Sequence, residues 1–123
     1  MFSTERFKHY SCNNVQQDNE HKHILDTLEQ IRKASSHNEM LVELDDLFKQ
    51  LGVHQQHETQ LMINLNFKYM AFHMEQHLLM SKKWEELKRQ LNSGVESKTV
   101  GYYVSAVQQM LLDHIDHYDS QIC

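Results

Sequence analysis

Six side chains able to hold a cation or a proton recur along this chain at spacings that a helix turns to one side: His21, His54, Glu58, His73, His77 and His114. Residues four apart on an α-helix differ in direction by about 40°, so His54 with Glu58, and His73 with His77, each point the same way as a pair. They stand within a surplus, because ten of the 123 residues are histidine. A single histidine on an apolar face is ordinarily a hydrogen-bonded core residue. Five of them beside a carboxylate are a different matter, since each buried polar group left unpaired costs on the order of several kcal/mol. A bound cation removes that cost by turning imidazole nitrogens and carboxylate oxygens into ligands, and its binding energy becomes folding energy.

The remaining histidines read differently. His23, His57 and His117 miss the apolar stripe by one or two positions, and His9 and His37 fall in an N-terminal arm and in the first connection, so all five read as exposed or rim residues. His23 and His57 are the substitutes if the helical register is shifted. His57 and Glu58 begin an H-E-x-x-H pattern, but position 61 is Leu, which removes a zinc-protease site. Asp119 follows His114 by five residues, about 140° around an ideal helix, and can approach only from the margin of the stripe. Counted as a donor mainly on the family resemblance given below, Asp119 brings the set to seven, too many for one tetrahedral zinc, and two metals bridged by carboxylates fit better. Imidazole-rich sets suit iron, zinc or copper. The ferritin-like di-iron solution uses Glu residues and Glu-x-x-His pairs at spacing three. Here the pairs are at spacing four and histidine predominates.

The elements that must position these residues are helices. There is no proline and there are only three glycines, while Leu, Met, Glu, Gln, Lys and His abound. Four stripes step by threes and fours: His21, Ile24, Leu28, Ile31; Met40, Leu44, Leu47, Leu51, His54, Glu58, Leu61, Leu65; Met70, His73, His77, Met80, Trp84, Leu87, Leu91; and Val104, Val107, Leu111, His114, Tyr118. They predict helices at about 18–35, 39–65, 68–91 and 99–119, with Asp18 as the first cap and Asn92, Ser93 and Gly94 as a turn. The fold expected is all-α: one domain over residues 1–123, with an arm at 1–17 and an up-down-up-down antiparallel four-helix bundle at 18–119. In that topology the start of the first helix, the end of the second, the start of the third and the end of the fourth share one end of the bundle. The six donors occupy those positions in turn.

Composition narrows the partners. The formal net charge is -5 and the twelve Lys and Arg are dispersed, which argues against a nucleic-acid surface. The one basic cluster, Lys82, Lys83, Lys88 and Arg89, alternates with Glu85 and Glu86 as a solvated face would. No apolar run is long enough to span a bilayer and no secretory leader is visible, so a cytoplasmic monomer is expected. Cys12 and Cys123 lack C-x-x-C spacing and read as free thiols.

Five motifs in order resemble the hemerythrins, most of all the single-domain bacterial hemerythrins. They are the aromatic arm Phe7 to Tyr10, D-x-x-H-K at Asp18 to Lys22, H-x-x-x-E with L-M at His54 to Met62, H-x-x-x-H at His73 to His77, and H-I-x-x-x-D at His114 to Asp119. The resemblance implies two iron ions, Fe2+ or Fe3+, one held by His73, His77 and His114 and the other by His21 and His54. Glu58 and Asp119 would bridge them together with an oxide or hydroxide, and dioxygen would bind reversibly at the iron with two histidines. It further implies an oxygen pocket formed by Ile24, Gln55, Met80, Met110, Leu111 and Ile115. The sequence departs from the family pattern there: aromatic residues are usual where Gln55, Met80 and Met110 stand, and Phe67-Lys68 replaces the usual Tyr-Pro turn.

The resemblance implies an oxygen-binding protein for storage, delivery or buffering, not an enzyme beyond a secondary oxidase or peroxidase activity, with an unidentified oxygen-accepting enzyme expected as its recipient. The alternatives are a di-iron oxidase, peroxidase or nitric-oxide-handling enzyme, an oxygen or redox sensor using the same site, or a histidine-rich core with adventitious zinc.

Overall fold

The computed structural model describes residues 14–94 and 96–118, and within them the chain forms four helices: α1 (Val15–Lys33), α2 (His37–Asn64), α3 (Met70–Asn92) and α4 (Ser97–His117). Asp18 is the expected first cap, but the helix begins earlier. Asn14 is extended, and its side-chain oxygen accepts from the Gln17 backbone N–H at 3.0 Å, which leaves Asp18 in the first turn where the helix dipole favours an acid. Residues 15–17 therefore belong to the helix and not to the arm. α2 is started in the same way by Ser36, whose hydroxyl accepts from the Glu39 N–H at 3.1 Å, while the Glu39 carboxylate reaches back to Ser35.

Two turns stop the helices by adopting a left-handed residue. Asn66, at φ 48°, follows the last turn of α2, and the Phe67 N–H returns to the Met62 carbonyl at 3.0 Å. Gly94, at φ 81°, does the same after α3, where the Asn92-Ser93-Gly94 turn is expected.

Contacts across the bundle run antiparallel between successive helices. Gln16 meets His57 and Thr27 meets Gln50 between α1 and α2, and Glu58 meets His73 while Phe48 meets Lys88 between α2 and α3. His73 lies against Tyr118 between α3 and α4, and Glu29 meets Gln108 between α1 and α4, which closes the ring. The result is the up-down-up-down bundle. Its apolar core runs along Ile24, Leu28, Leu47, Trp84, Leu87, Leu91, Val104 and Ile115. A polar pin crosses α1 and α4 near mid-height: Gln108 donates to Glu29 at 2.6 Å, and the Arg32 guanidinium donates to Gln108 and to Ser105, both at 2.9 Å. Within this frame none of the described helices is long and apolar enough to cross a membrane.

The stripe of α2 departs from expectation at its end. Leu65 is 54% exposed and Leu61 only half-buried, while Met62 is fully buried. A straight helix turns 3.6 residues per turn, so a stripe counted in threes and fours drifts, and after Glu58 the inward position falls at 62. Met70 at the start of α3 is likewise half-buried.

Leu47→Ala should cost about 2–5 kcal/mol by chemical denaturation, because Leu47 is fully buried in the closed core. Asn14→Ala should cost only about 1 kcal/mol, the worth of one capping hydrogen bond.

Candidate metal centre

Each donor sits where its helix reaches the same end of the bundle. His21 lies in the second turn of α1, His54 and Glu58 in the second half of α2, His73 and His77 in the first three turns of α3, and His114 in the last turn of α4. All six are buried, with Glu58 and His21 entirely so. The four-residue spacings put His54 beside Glu58 and His73 beside His77.

Glu58 is the hub. One carboxylate oxygen lies 2.5 Å from His73 Nε2 and 2.6 Å from His77 Nε2, and the other lies 3.1 Å from His54 Nε2. The donors fall into two groups that share Glu58. In one, Glu58, His73, His77 and His114 each offer an atom within 4.8 Å of the others; in the second, His21, His54 and Glu58 do the same. Ring centroids are 4.6 Å apart for His21 and His54, 4.7 Å for His73 and His77, and 5.2 Å for His73 and His114. Asp119 lies outside the described residues, as do His9, Cys12 and Cys123.

A metal suits this set. The converging atoms are imidazole nitrogens and carboxylate oxygens, Lewis bases that satisfy one another only by taking up protons. A cation between them uses every lone pair and offsets the burial of the carboxylate.

Aromatic residues close the end. Tyr118 stacks against His114 at 5.2 Å and lies 6.4 Å from His73, with Phe72 behind it at 5.8 Å, and Phe67 meets His73 edge-on at 6.3 Å. Of the six residues expected to form an oxygen pocket, Ile24, Met80, Leu111 and Ile115 are part of the core packing, and Met110 is partly buried against it. Gln55 is half-buried and lines a groove between α2 and α3 with Gly52, Thr59, Met74 and His77.

One polar residue at this end has no role in the sequence reading. Glu20 on α1 receives His54 Nδ1 at 2.8 Å on one oxygen and the His57 Nδ1 on the other. Burial works to raise its pKa, but the hydrogen bonds and charges of His54 and His57 outweigh that and hold the carboxyl below the ordinary carboxylate range. Its only cue in the sequence is that an antiparallel pairing of α1 with α2 sets position 20 level with positions 54 and 57. His57, expected at the rim, is tied into this contact, while His23, His37 and His117 are exposed as expected.

The model of the hemerythrin HHE cation-binding domain matches residues 15–122, nearly the whole chain. The chain belongs to the hemerythrin HHE family. No curated protein and no solved structure matches it. The hemerythrin domain binds metal cations, and among the described residues the buried histidine and glutamate cluster could hold them.

Two metal ions per chain are expected by elemental analysis of reconstituted protein, one for each donor group. Glu58→Ala should lose the paired site, whereas His23→Ala should leave the stoichiometry unchanged. With free metal at about 100 times its dissociation constant, the folded state should gain about 2.7 kcal/mol, read as a rise in melting temperature. Imidazole must be neutral to ligate and has an ordinary pKa of about 6.5, so the gain is present above that value and is lost as protons displace the metal below about pH 6. Identical melts with and without metal at neutral pH would contradict the site.

Proposed function

We propose that this hemerythrin-family chain is a non-heme di-iron protein that binds dioxygen reversibly, of the single-domain bacterial type, serving oxygen storage, delivery or buffering. The observation that carries this reading is the inequality of the two donor groups around Glu58. Among the described residues one offers three histidines, the other His21 and His54. Two equivalent, fully ligated positions would suit a structural role, whereas a position short of donors keeps room for an exogenous ligand. His73, His77 and His114 would hold the first iron, His21 and His54 the second, and Glu58 with Asp119 would bridge them alongside an oxide or hydroxide. When bound, the iron pair supplies the electrons that capture dioxygen.

The chain's own part is to exclude water and hold the geometry. Ile24, Leu111 and Ile115 are buried apolar residues of the core beside the histidine layer, and Met80 and Met110 extend that surface. Such a wall favours release of dioxygen over its protonation and loss, because it offers no donor and no space for water. The physiological recipient would be an oxygen-accepting enzyme in the same compartment, taken to be the cytoplasm.

One observation favours a second reading, a di-iron enzyme that reduces dioxygen or peroxide. The groove with Gln55, Thr59 and Met74 ends at the edge of His77, so polar groups and solvent come closer to the centre than an oxygen carrier requires.

Cycles of air and vacuum on the reduced protein separate the two. Carriage predicts an optical spectrum that appears under air and disappears under vacuum with little loss per cycle; an enzyme predicts irreversible oxidation in the first cycle. Gln55→Phe should slow the decay of the oxygenated spectrum, since an amide can hold water or donate a hydrogen bond where an aromatic ring cannot. Equal or faster decay would remove Gln55 from the pocket.

A further inference from the structure

Three residues outside the two donor groups, Gln16, Glu20 and His57, form with the donor His54 a latch between α1 and α2 beside the metal layer. Glu20 lies 2.8 Å from His54 Nδ1 through one oxygen and binds His57 Nδ1 through the other, and Gln16 Nε2 comes within 3.3 Å of the same His57 nitrogen. Gln16 and Glu20 are one turn apart on α1, and His54 and His57 one turn apart on α2. The carboxylate thus spans two imidazoles of the facing helix.

The chemistry of His54 gives the contact a direction. Its Nε2 faces Glu58 at 3.1 Å, and its Nδ1 faces Glu20. A carboxylate only accepts hydrogen bonds, so Nδ1 carries a proton toward Glu20, and with a cation in place of a proton between Nε2 and Glu58 the Nε2 lone pair is free to ligate. An amide in place of Glu20 could turn either end toward the ring and would not impose that choice. The negative charge also makes the imidazole a stronger donor to a cation.

Glu20 is not itself placed to ligate. The His54 ring stands between it and Glu58, and Glu20 belongs to neither donor group. Nor does the latch make a third metal site, since Glu20 and His57 supply only two donors. His57 is partly exposed and, among the described residues, reaches the centre through Glu20, so its contribution is to fix the second oxygen and with it the carboxylate's orientation. The contrast lies across the bundle: His77 Nδ1 has no protein partner among the described residues.

We propose that Glu20 is the positioning residue of the two-histidine metal position, fixing the tautomer and plane of His54, with His57 holding Glu20 in that role. The proposal rests on the ligand assignment above. It goes beyond that assignment in predicting that one of the two metal positions, and not the other, depends on a residue that touches no metal.

Cobalt(II) titration of the metal-free full-length chain, followed calorimetrically and by the optical bands of the bound ion, tests it. Wild type should take up two ions; uptake of fewer would fail the ligand assignment itself, whatever Glu20 does. Glu20→Ala should weaken one binding step by about 10–100-fold and leave the other unchanged, which is the usual scale for losing such a partner. The exchangeable Nδ1 proton of His54 in the cobalt-shifted proton spectrum should disappear with it. If Glu20→Ala does not fold, Glu20→Gln and His57→Asn, which keep size and some hydrogen bonding, carry the test, each with a smaller loss confined to the same step. Lys22→Ala, on the exposed side of α1, should change neither step. Unchanged affinities in the Glu20 variants, or equal weakening of both steps, would overturn the proposal while leaving a two-metal site standing.

Discussion

A carboxylate buried among imidazoles governs this molecule. Glu58 has no exposed surface, and its oxygens are approached by His54 from its own helix and by His73 and His77 from the next. Such a group at the centre of a bundle demands compensation, and the compensation must come from helices held together elsewhere mainly by apolar packing. The register of α2 against α3 follows from it, because sliding either helix by one turn would move the histidines away from the carboxylate. α1 and α4 answer the same demand with His21 and His114. Apolar contacts at the Trp84 end could tolerate several repackings of similar volume. The polar end tolerates one, so the specificity of the fold is concentrated where its function is.

Much of this was legible before any coordinates because helical periodicity is a strong signal when it repeats over long segments. The absence of proline, the four stripes and the short connections were enough for the bundle and for its antiparallel order, and that order alone brought six donors to one end. Their meeting is visible in the structure as two groups around Glu58. What was not legible depended on finer rotations or on side-chain reach. The start of α1 at Val15 turns on whether Asn14 or Asp18 accepts the capping hydrogen bond, and both residue types cap well. The exchange of Met62 for Leu65 in the core follows from accumulated drift along a helix of 28 residues. Glu20 gives no such signal, because a glutamate on a helix is commonplace and only the paired helix shows what it faces.

The two halves of the donor set are built to different standards of order. Beside His73 and His114 lie the rings of Tyr118 and Phe67, with Phe72 behind Tyr118, which shield and pack. Around His54 the support is ionic and directional, through Glu20. A position with fewer protein donors has fewer bonds to hold its ligands in place, so directional support matters more there. Gln55, close by on α2, adds a polar side chain on the outer flank, and the balance between the dry core and this wetter flank decides how long any small molecule survives at the centre.

The covalent layout of the bundle has its own consequence. Among the described residues, the connections after Lys33 and after Asn92 both lie at the apolar end, whereas the link from Asn64 to Met70 alone closes the polar end, where α1 begins and α4 finishes. The helices are hinged twice at one end and once at the other. Thermal parting of the bundle, like the splaying of a clamp, is therefore easiest at the histidines, and that opening gives a hydrated ion a way in that no rigid channel need supply.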